Sequence, residues 1–160
     1  MLDSRLHPRL KPVLNAIARG LDRPGISPDG LTLFGFAIGV LALPFLALGW
    51  YGAALAAIVL NRLLDGLDGA LARRRGLSDA GGFLDISLDF LFYALVPFGF
   101  IVADPAQNAL AGGWLLFAFI GTGSSFLAFA ALAAKHDIDN PGYAHKSFYY
   151  IGGLTEGTET

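Results

Sequence analysis

Apolar residues dominate four long stretches of this chain, and polar residues gather at the ends of those stretches. Gly30 to Gly49 carries no charged side chain. A membrane-spanning helix needs about 20 mainly apolar residues, so this stretch qualifies. A second stretch begins at Tyr51, is apolar to Leu60, and continues through Asn61 and Arg62 to about Arg73, so its far end is polar. A third starts near Gly81, carries Asp85 and Asp89 in its first turns and runs apolar to Val102. A fourth covers Ala109 to Ala134, where the run Gly121-Thr122-Gly123-Ser124-Ser125 suits close helix packing through small residues. A fifth apolar segment is expected after Tyr149, and the sequence ends at Thr160.

Before the first span the pattern changes. Leu2, Leu6, Leu10, Val13, Leu14 and Ile17 recur at helical spacing up to Leu21, with Arg and Lys between them. Residues 1–23 are therefore expected to hold an amphipathic helix lying in the membrane interface, with its basic side chains near anionic head groups. The expected fold is all-α: a polytopic transmembrane helix bundle over residues 28–160, with four spans plus the start of a fifth, in a single domain covering residues 1–160.

Composition agrees with a membrane protein. Of 160 residues, 54% are hydrophobic and only 15% charged, and the mean hydropathy is +0.57. A net charge of −2 gives no global basicity pointing to nucleic acid. The absence of cysteine excludes disulfides and thiolate metal sites. Charges run through the first 23 residues without a continuous apolar core, so a cleavable signal peptide is not expected.

The basic residues set the orientation. Arg5, Arg9, Lys11, Arg19 and Arg23 precede the first span, Arg62 and Arg73 to Arg75 lie about the second turn, and Lys135 and Lys146 follow the fourth span. All 11 fall on one side if the spans alternate. The positive-inside rule makes that side cytoplasmic, together with the N-terminus. Trp50 and Tyr51 fit an aromatic belt at the outer surface, and Tyr149 and Tyr150 one at the inner surface.

Four carboxylates stand out against this background. Asp65, Asp68, Gly69 and Ala72 stand at i, i+3, i+4 and i+7, one stripe of a helix. Gly81, Asp85 and Asp89 stand at i, i+4 and i+8, one stripe of the next. Two antiparallel helices facing these stripes would gather all four aspartates. Carboxylates are costly at membrane depth, and four that close need cations between them. Hard divalent ions with oxygen ligands, Mg²⁺ or Mn²⁺, fit that demand.

The same residues spell Asp65-x-x-Asp68-Gly69-x-x-Ala72-Arg73, then Gly81-x-x-x-Asp85-x-x-x-Asp89. This resembles the signature of the CDP-alcohol phosphotransferase (CDP-alcohol phosphatidyltransferase) family of integral membrane enzymes. Seven residues separate Arg73 from Gly81, where the family usually has about eight, consistent with a shortened cytoplasmic turn. The resemblance implies transfer of a phosphoalcohol group, phosphatidyl above all, from a CDP-linked lipid such as CDP-diacylglycerol to a small acceptor alcohol, with release of CMP. It implies that Asp65, Asp68, Asp85 and Asp89 hold a two-metal site and that Asp89 is also the general base. Gly69, Ala72, Arg73 and Gly81 would face the nucleotide and pyrophosphate of the donor. A weaker likeness to Pro-Asn-x-x-Thr at Pro28-Asp29-Gly30-Leu31-Thr32 adds Thr32 to the donor site, with Asp29 in place of the usual Asn. Arg62 and Lys146 are candidates for an anionic acceptor. The resemblance further implies six spans, so a C-terminally truncated chain, as well as a homodimer in a bacterial inner membrane with the site facing the cytoplasm.

Two other functions compete. A prenyltransferase using an allylic diphosphate would also need Asp-rich helices and Mg²⁺, and Asn61-x-x-x-Asp65 is half of such a motif. Its two motifs would stand far apart, and Asp-Gly-x-x-Ala-Arg would have no reason to exist. A divalent-cation transporter would carry acidic residues near mid-membrane on several spans, whereas here the first and fourth spans carry none.

Overall fold

The computed structural model describes residues 3–136, with side chains from residue 10 onward. Six helices follow one another: α1 (Asp3–Leu21), α2 (Pro28–Val40), α3 (Ala42–Ala47), α4 (Tyr51–Arg75), α5 (Asp79–Ala103) and α6 (Pro105–Lys135). No strand occurs among the described residues. The expected start of a fifth span, Lys146, Tyr149 and Tyr150 lie outside them.

Local chemistry sets the helix starts. Ser27 and Ser78 accept hydrogen bonds from Gly30 N and Gly81 N, each at 3.0 Å, and Asp104 Oδ1 accepts from Gln107 N at 3.1 Å. Each satisfies a backbone donor that the first turn leaves without a partner. Pro28 and Pro105 occupy first-turn positions, where a missing N–H costs nothing. Asp104 closes α5 and opens α6, so these two helices turn back on each other with no intervening loop.

The first span is less regular than its composition suggests. Pro44 cannot donate to the Val40 carbonyl, and its ring crowds that turn. The helix breaks at Leu41, whose N–H instead reaches Ile38 O at 3.1 Å, and resumes as α3.

Among the described residues, three segments are long and apolar enough to cross a membrane: Pro28–Ala47, Asp79–Ala103 and Pro105–Lys135. The second predicted span, α4, is as long as α5 at 25 residues but does not meet the same standard of apolarity. The reason is its polar half, which carries Arg62, Asp65, Asp68 and Arg73 to Arg75. Within that half Asp68 is buried, Arg62 and Asp65 are partly covered, and Arg73 to Arg75 are exposed, while α4 as a whole packs against α1, α2 and α3. α5 packs against α2, α3 and α6, so α2 supports both carboxylate-bearing helices.

Outward faces are apolar. Leu110, Phe117 and Ile120 of α6 are each more than two-thirds exposed. Such surface suits lipid. α1 divides in the expected way. Leu10, Val13 and Ile17 are exposed on one stripe, while Ala18 is buried and Leu14 packs over Gly66 of α4. The outward stripe fits an interfacial helix.

Small residues let the helices approach. A Cβ on Gly39 of α2 would lie 2.9 Å from the Phe92 ring of α5 and 2.9 Å from Asn61 Nδ2 of α4, so only glycine fits where the three helices converge. Buried Asn61 uses the same gap to donate to Gly35 O at 3.0 Å. A hydrogen bond of this kind between membrane helices contributes about 1 kcal/mol.

Candidate functional site

The two predicted stripes do face one another. Asp65 and Asp68 of α4 and Asp85 of α5 each offer a carboxylate oxygen, and these oxygens lie within 4.8 Å of one another. Asp68 is almost wholly buried at 3% exposure, and its Oδ2 has no hydrogen-bond partner among the described residues. An anionic oxygen placed that way is costly unless a cation meets it. The donor set is all oxygen, which fits a hard divalent ion. Asp65, Asp68 and Asp85 are thus the residues that would hold a metal.

Asp89 stands one turn along α5 from Asp85 and outside that cluster of three. Its Oδ1 accepts from Arg62 Nη2 at 2.7 Å and its Oδ2 from Tyr93 Oη at 3.3 Å. The predicted ligand and base is therefore held by an ion pair in this structure, and both of its carboxylate oxygens are engaged.

A cavity of about 250 Å³ opens beside the aspartates. Asp68, Asp85 and Asp89 line one wall, and Gly69, Ala72, Arg73, Gly81 and Thr32 line the rest together with Asp29 and Ser78. Five residues predicted for the donor thus share one space with three of the four predicted metal ligands. Arg73 folds back over Gly69, its Nη1 3.3 Å from where a Cβ of residue 69 would sit. That places a guanidinium fork at the cavity wall, suited to phosphate oxygens. Gly81 faces Asp29 across the cavity rim. Thr32 donates to Pro28 O at 3.1 Å. Asp65 and Arg62 line a much smaller adjoining recess, which shares Thr32, Asp68, Asp85 and Asp89 with the cavity.

The turn between α4 and α5 is tied down. Gly76 ends α4 at φ 104°, a conformation open to glycine, and its N–H returns to Ala72 O at 2.9 Å. Arg74 and Arg75 both bond Asp22 in the α1–α2 connection, at 3.2 and 2.8 Å. Arg75 also donates to Arg23 O and Ile26 O. These two arginines, read from sequence as markers of topology, also hold the connection leading into Pro28 and Asp29. The Arg75 contact holds the Asp22 carboxyl below its ordinary range.

Arg62 does not line the large cavity. Its guanidinium donates to Asn61 Oδ1, Tyr93 Oη and Asp89 Oδ1 at 2.9, 3.2 and 2.7 Å, and lies 3.6 Å from Asp65 Oδ2. The rings of Phe92 and Tyr93 flank it, their centroids 4.7 and 5.2 Å from its central carbon. Sequence reasoning did not single out Tyr93. Its one signal was the i, i+4 spacing from Asp89, easily lost in an apolar run.

Comparison with known proteins agrees with this geometry. Residues 26–149 match the family model of CDP-alcohol phosphatidyltransferase. The chain is 86% identical over 160 residues to the "Inner membrane protein YnjF" of Escherichia coli K12, covering 100% of this chain and 78% of that one. It is 42% identical over 101 residues to an archaetidylinositol phosphate synthase of Pyrococcus horikoshii, covering 60% of this chain and 52% of that one. The crystal structure of Mycobacterium tuberculosis phosphatidylinositol phosphate synthase with CDP-DAG bound superposes with a TM-score of 0.62 at 26% identity, over 92% of this chain and 71% of that one. A family match over most of the chain, set on a helix pair that brings three of the four motif carboxylates to one cavity, places this protein: it is an integral membrane enzyme belonging to the CDP-alcohol phosphatidyltransferase family.

Proposed function

We propose that this enzyme transfers a phosphatidyl group from CDP-diacylglycerol to the hydroxyl of a phosphorylated polyol, with inositol phosphate as the leading acceptor, and releases CMP. One observation carries the reading: Asp68, Asp85 and Asp89 share a cavity with Gly69, Ala72, Arg73, Gly81 and Thr32, the residues expected to meet a CDP-linked donor. The neighbour with CDP-DAG bound supports the donor, and the archaetidylinositol phosphate and phosphatidylinositol phosphate synthases among the similar proteins support the acceptor class.

Asp65, Asp68 and Asp85 hold Mg²⁺ or Mn²⁺, with Asp89 completing a two-metal site. Such ions neutralise charge on the transferring phosphoryl group. Arg73 binds the pyrophosphate of the donor at the cavity wall, and Gly69 and Gly81 leave room for the nucleotide beside the backbone. Asp89 accepts the proton of the acceptor hydroxyl as its oxygen attacks the phosphatidyl phosphorus. The bond from that phosphorus to the bridging pyrophosphate oxygen breaks, and CMP leaves with the bonding electrons. The site faces the cytoplasm of a bacterial inner membrane, where CDP-linked donors and phosphorylated acceptors meet. A homodimer is part of the same reading, supported by the family resemblance.

The acceptor is tested by mass spectrometry of the lipid product formed from CDP-diacylglycerol with inositol phosphate, glycerol 3-phosphate, serine or choline offered one at a time. A phosphatidylinositol phosphate product is expected. A product with serine or choline alone would overturn the acceptor class and leave the donor chemistry standing.

A further inference from the structure

Arg62 is a cation enclosed by this chain's own groups. All three of its guanidinium nitrogens are engaged: Nε with Asn61, Nη1 with Tyr93, and Nη2 with Asp89. Its tether is rigid in turn. Asn61 is 4% exposed and is anchored to the Gly35 carbonyl of α2. Two aromatic rings hold the guanidinium plane. Arg62 lines, with Asp65, a small recess that shares Asp68, Asp85 and Asp89 with the cavity, but Arg62 itself does not line the cavity.

We propose that Arg62 is a positioning residue with two effects: it fixes Asp89 at the cavity wall, and it supplies a permanent positive charge that offsets the clustered carboxylates. The inference rests on the transferase reading above and goes beyond it. Arg62 and a divalent metal compensate the same negative charge. Removing the Arg62 charge therefore strengthens the attraction of the cluster for a metal while it releases Asp89. Tighter metal binding with slower turnover is a pairing that a merely structural role would not give, since loosening the helices would weaken both. An acceptor-binding role would instead raise the acceptor KM.

The test compares the parent with Arg62→Met, Arg62→Lys and Tyr93→Phe in detergent. Mn²⁺ affinity is read by electron paramagnetic resonance, and kcat and KM by CMP release. Arg62→Met is expected to bind Mn²⁺ about threefold to tenfold more tightly, because an offsetting charge is gone. Its kcat is expected to fall about a hundredfold with the acceptor KM within about twofold of the parent. Arg62→Lys is expected to return Mn²⁺ affinity to about the parent value but to recover kcat only in part, because an ammonium cannot reproduce the planar fork. Tyr93→Phe is expected to leave Mn²⁺ affinity unchanged and to lower kcat several-fold, on the order of one lost hydrogen bond to a charged group. Unchanged or weaker Mn²⁺ binding by Arg62→Met would overturn the inference, as would a raised acceptor KM at unchanged kcat. If Arg62→Met does not fold, full kcat in Arg62→Lys would overturn it equally. A parent protein that releases no CMP would sink the transferase reading, while the Mn²⁺ affinities would still decide the role of Arg62.

Discussion

Gly81 of α5 meets Asp29 of α2 so closely that a Cβ on residue 81 would lie 3.0 Å from Asp29 Oδ1. It would also lie 2.9 Å from Ser78 Oγ, the cap of its own helix. Both neighbours line the same cavity. Gly81→Ala is therefore expected to push Asp29 and Ser78 outward and narrow the donor space. Steady-state kinetics should show the KM for CDP-diacylglycerol raised about tenfold, the size of a lost contact of about 1.4 kcal/mol, with a smaller change in kcat. An unchanged donor KM would place the nucleotide elsewhere.

Asp68 offers a prediction with opposite signs in two conditions. Its buried Oδ2 has no hydrogen-bond partner among the described residues, so in chelator the Asp68→Asn variant loses a repulsive charge and should melt at the same temperature as the parent or higher. With Mn²⁺ present the order should reverse. A ligand held at about 100 times its Kd stabilises a folded protein by about 2.7 kcal/mol, and the variant forgoes most of that. Thermal melts of both proteins, with and without Mn²⁺, check the crossing.

The convergence at Gly39 is structural and should respond as packing. Gly39→Ala forces a methyl group against Phe92 and Asn61, each 2.9 Å away. Overpacking of this kind costs about 1–3 kcal/mol. The variant should unfold at lower denaturant in detergent. Because Asn61 also tethers Arg62, its kcat should fall as well, and a loss of stability with kcat fully retained would argue against that coupling.

The Asp22 clamp carries a pH dependence. The Arg75 hydrogen bond, with help from Arg74, lowers the Asp22 carboxyl below its ordinary value of 3.8. A lowered folded-state pKa means that the contribution is complete above the unfolded value and lost as pH falls through the folded one. The melting difference between the parent and Asp22→Asn should be constant from pH 7 to about pH 5 and should shrink toward zero below pH 3.8. A difference that grew on acidification would contradict the clamp.

The carboxylate cluster was legible because helical periodicity reports it directly, whereas the reaction was read from the family resemblance. Asp65 and Asp68 on one stripe, with Gly81, Asp85 and Asp89 on the next, predict a shared face from spacing alone, and the structure gathers Asp65, Asp68 and Asp85 within 4.8 Å. The partner of Arg62 was not legible. Whether it met Asp65 on its own helix, Asp89 on the next or a substrate depends on the relative rotation of α4 and α5, which no local pattern records. Tyr93 and Phe92 were hidden in the same way, since aromatic residues in a membrane helix face lipid as readily as a buried cation. The Asp22 clamp joins residues more than 50 positions apart. The break at Leu41 was within reach, because Pro44 marks it, but apolarity alone runs through the proline unbroken.

As general base, Asp89 would stand beside the reacting atoms. The direct measurement is CMP release from CDP-diacylglycerol by the purified protein with Mg²⁺ or Mn²⁺ and inositol phosphate, run beside Asp89→Asn. Release that requires both metal and acceptor is expected. In the variant it should fall by about 10²–10⁴-fold, the span of a positioned general base, at an unchanged melting temperature. Full CMP release by Asp89→Asn, or none from the parent under any metal, would contradict the account.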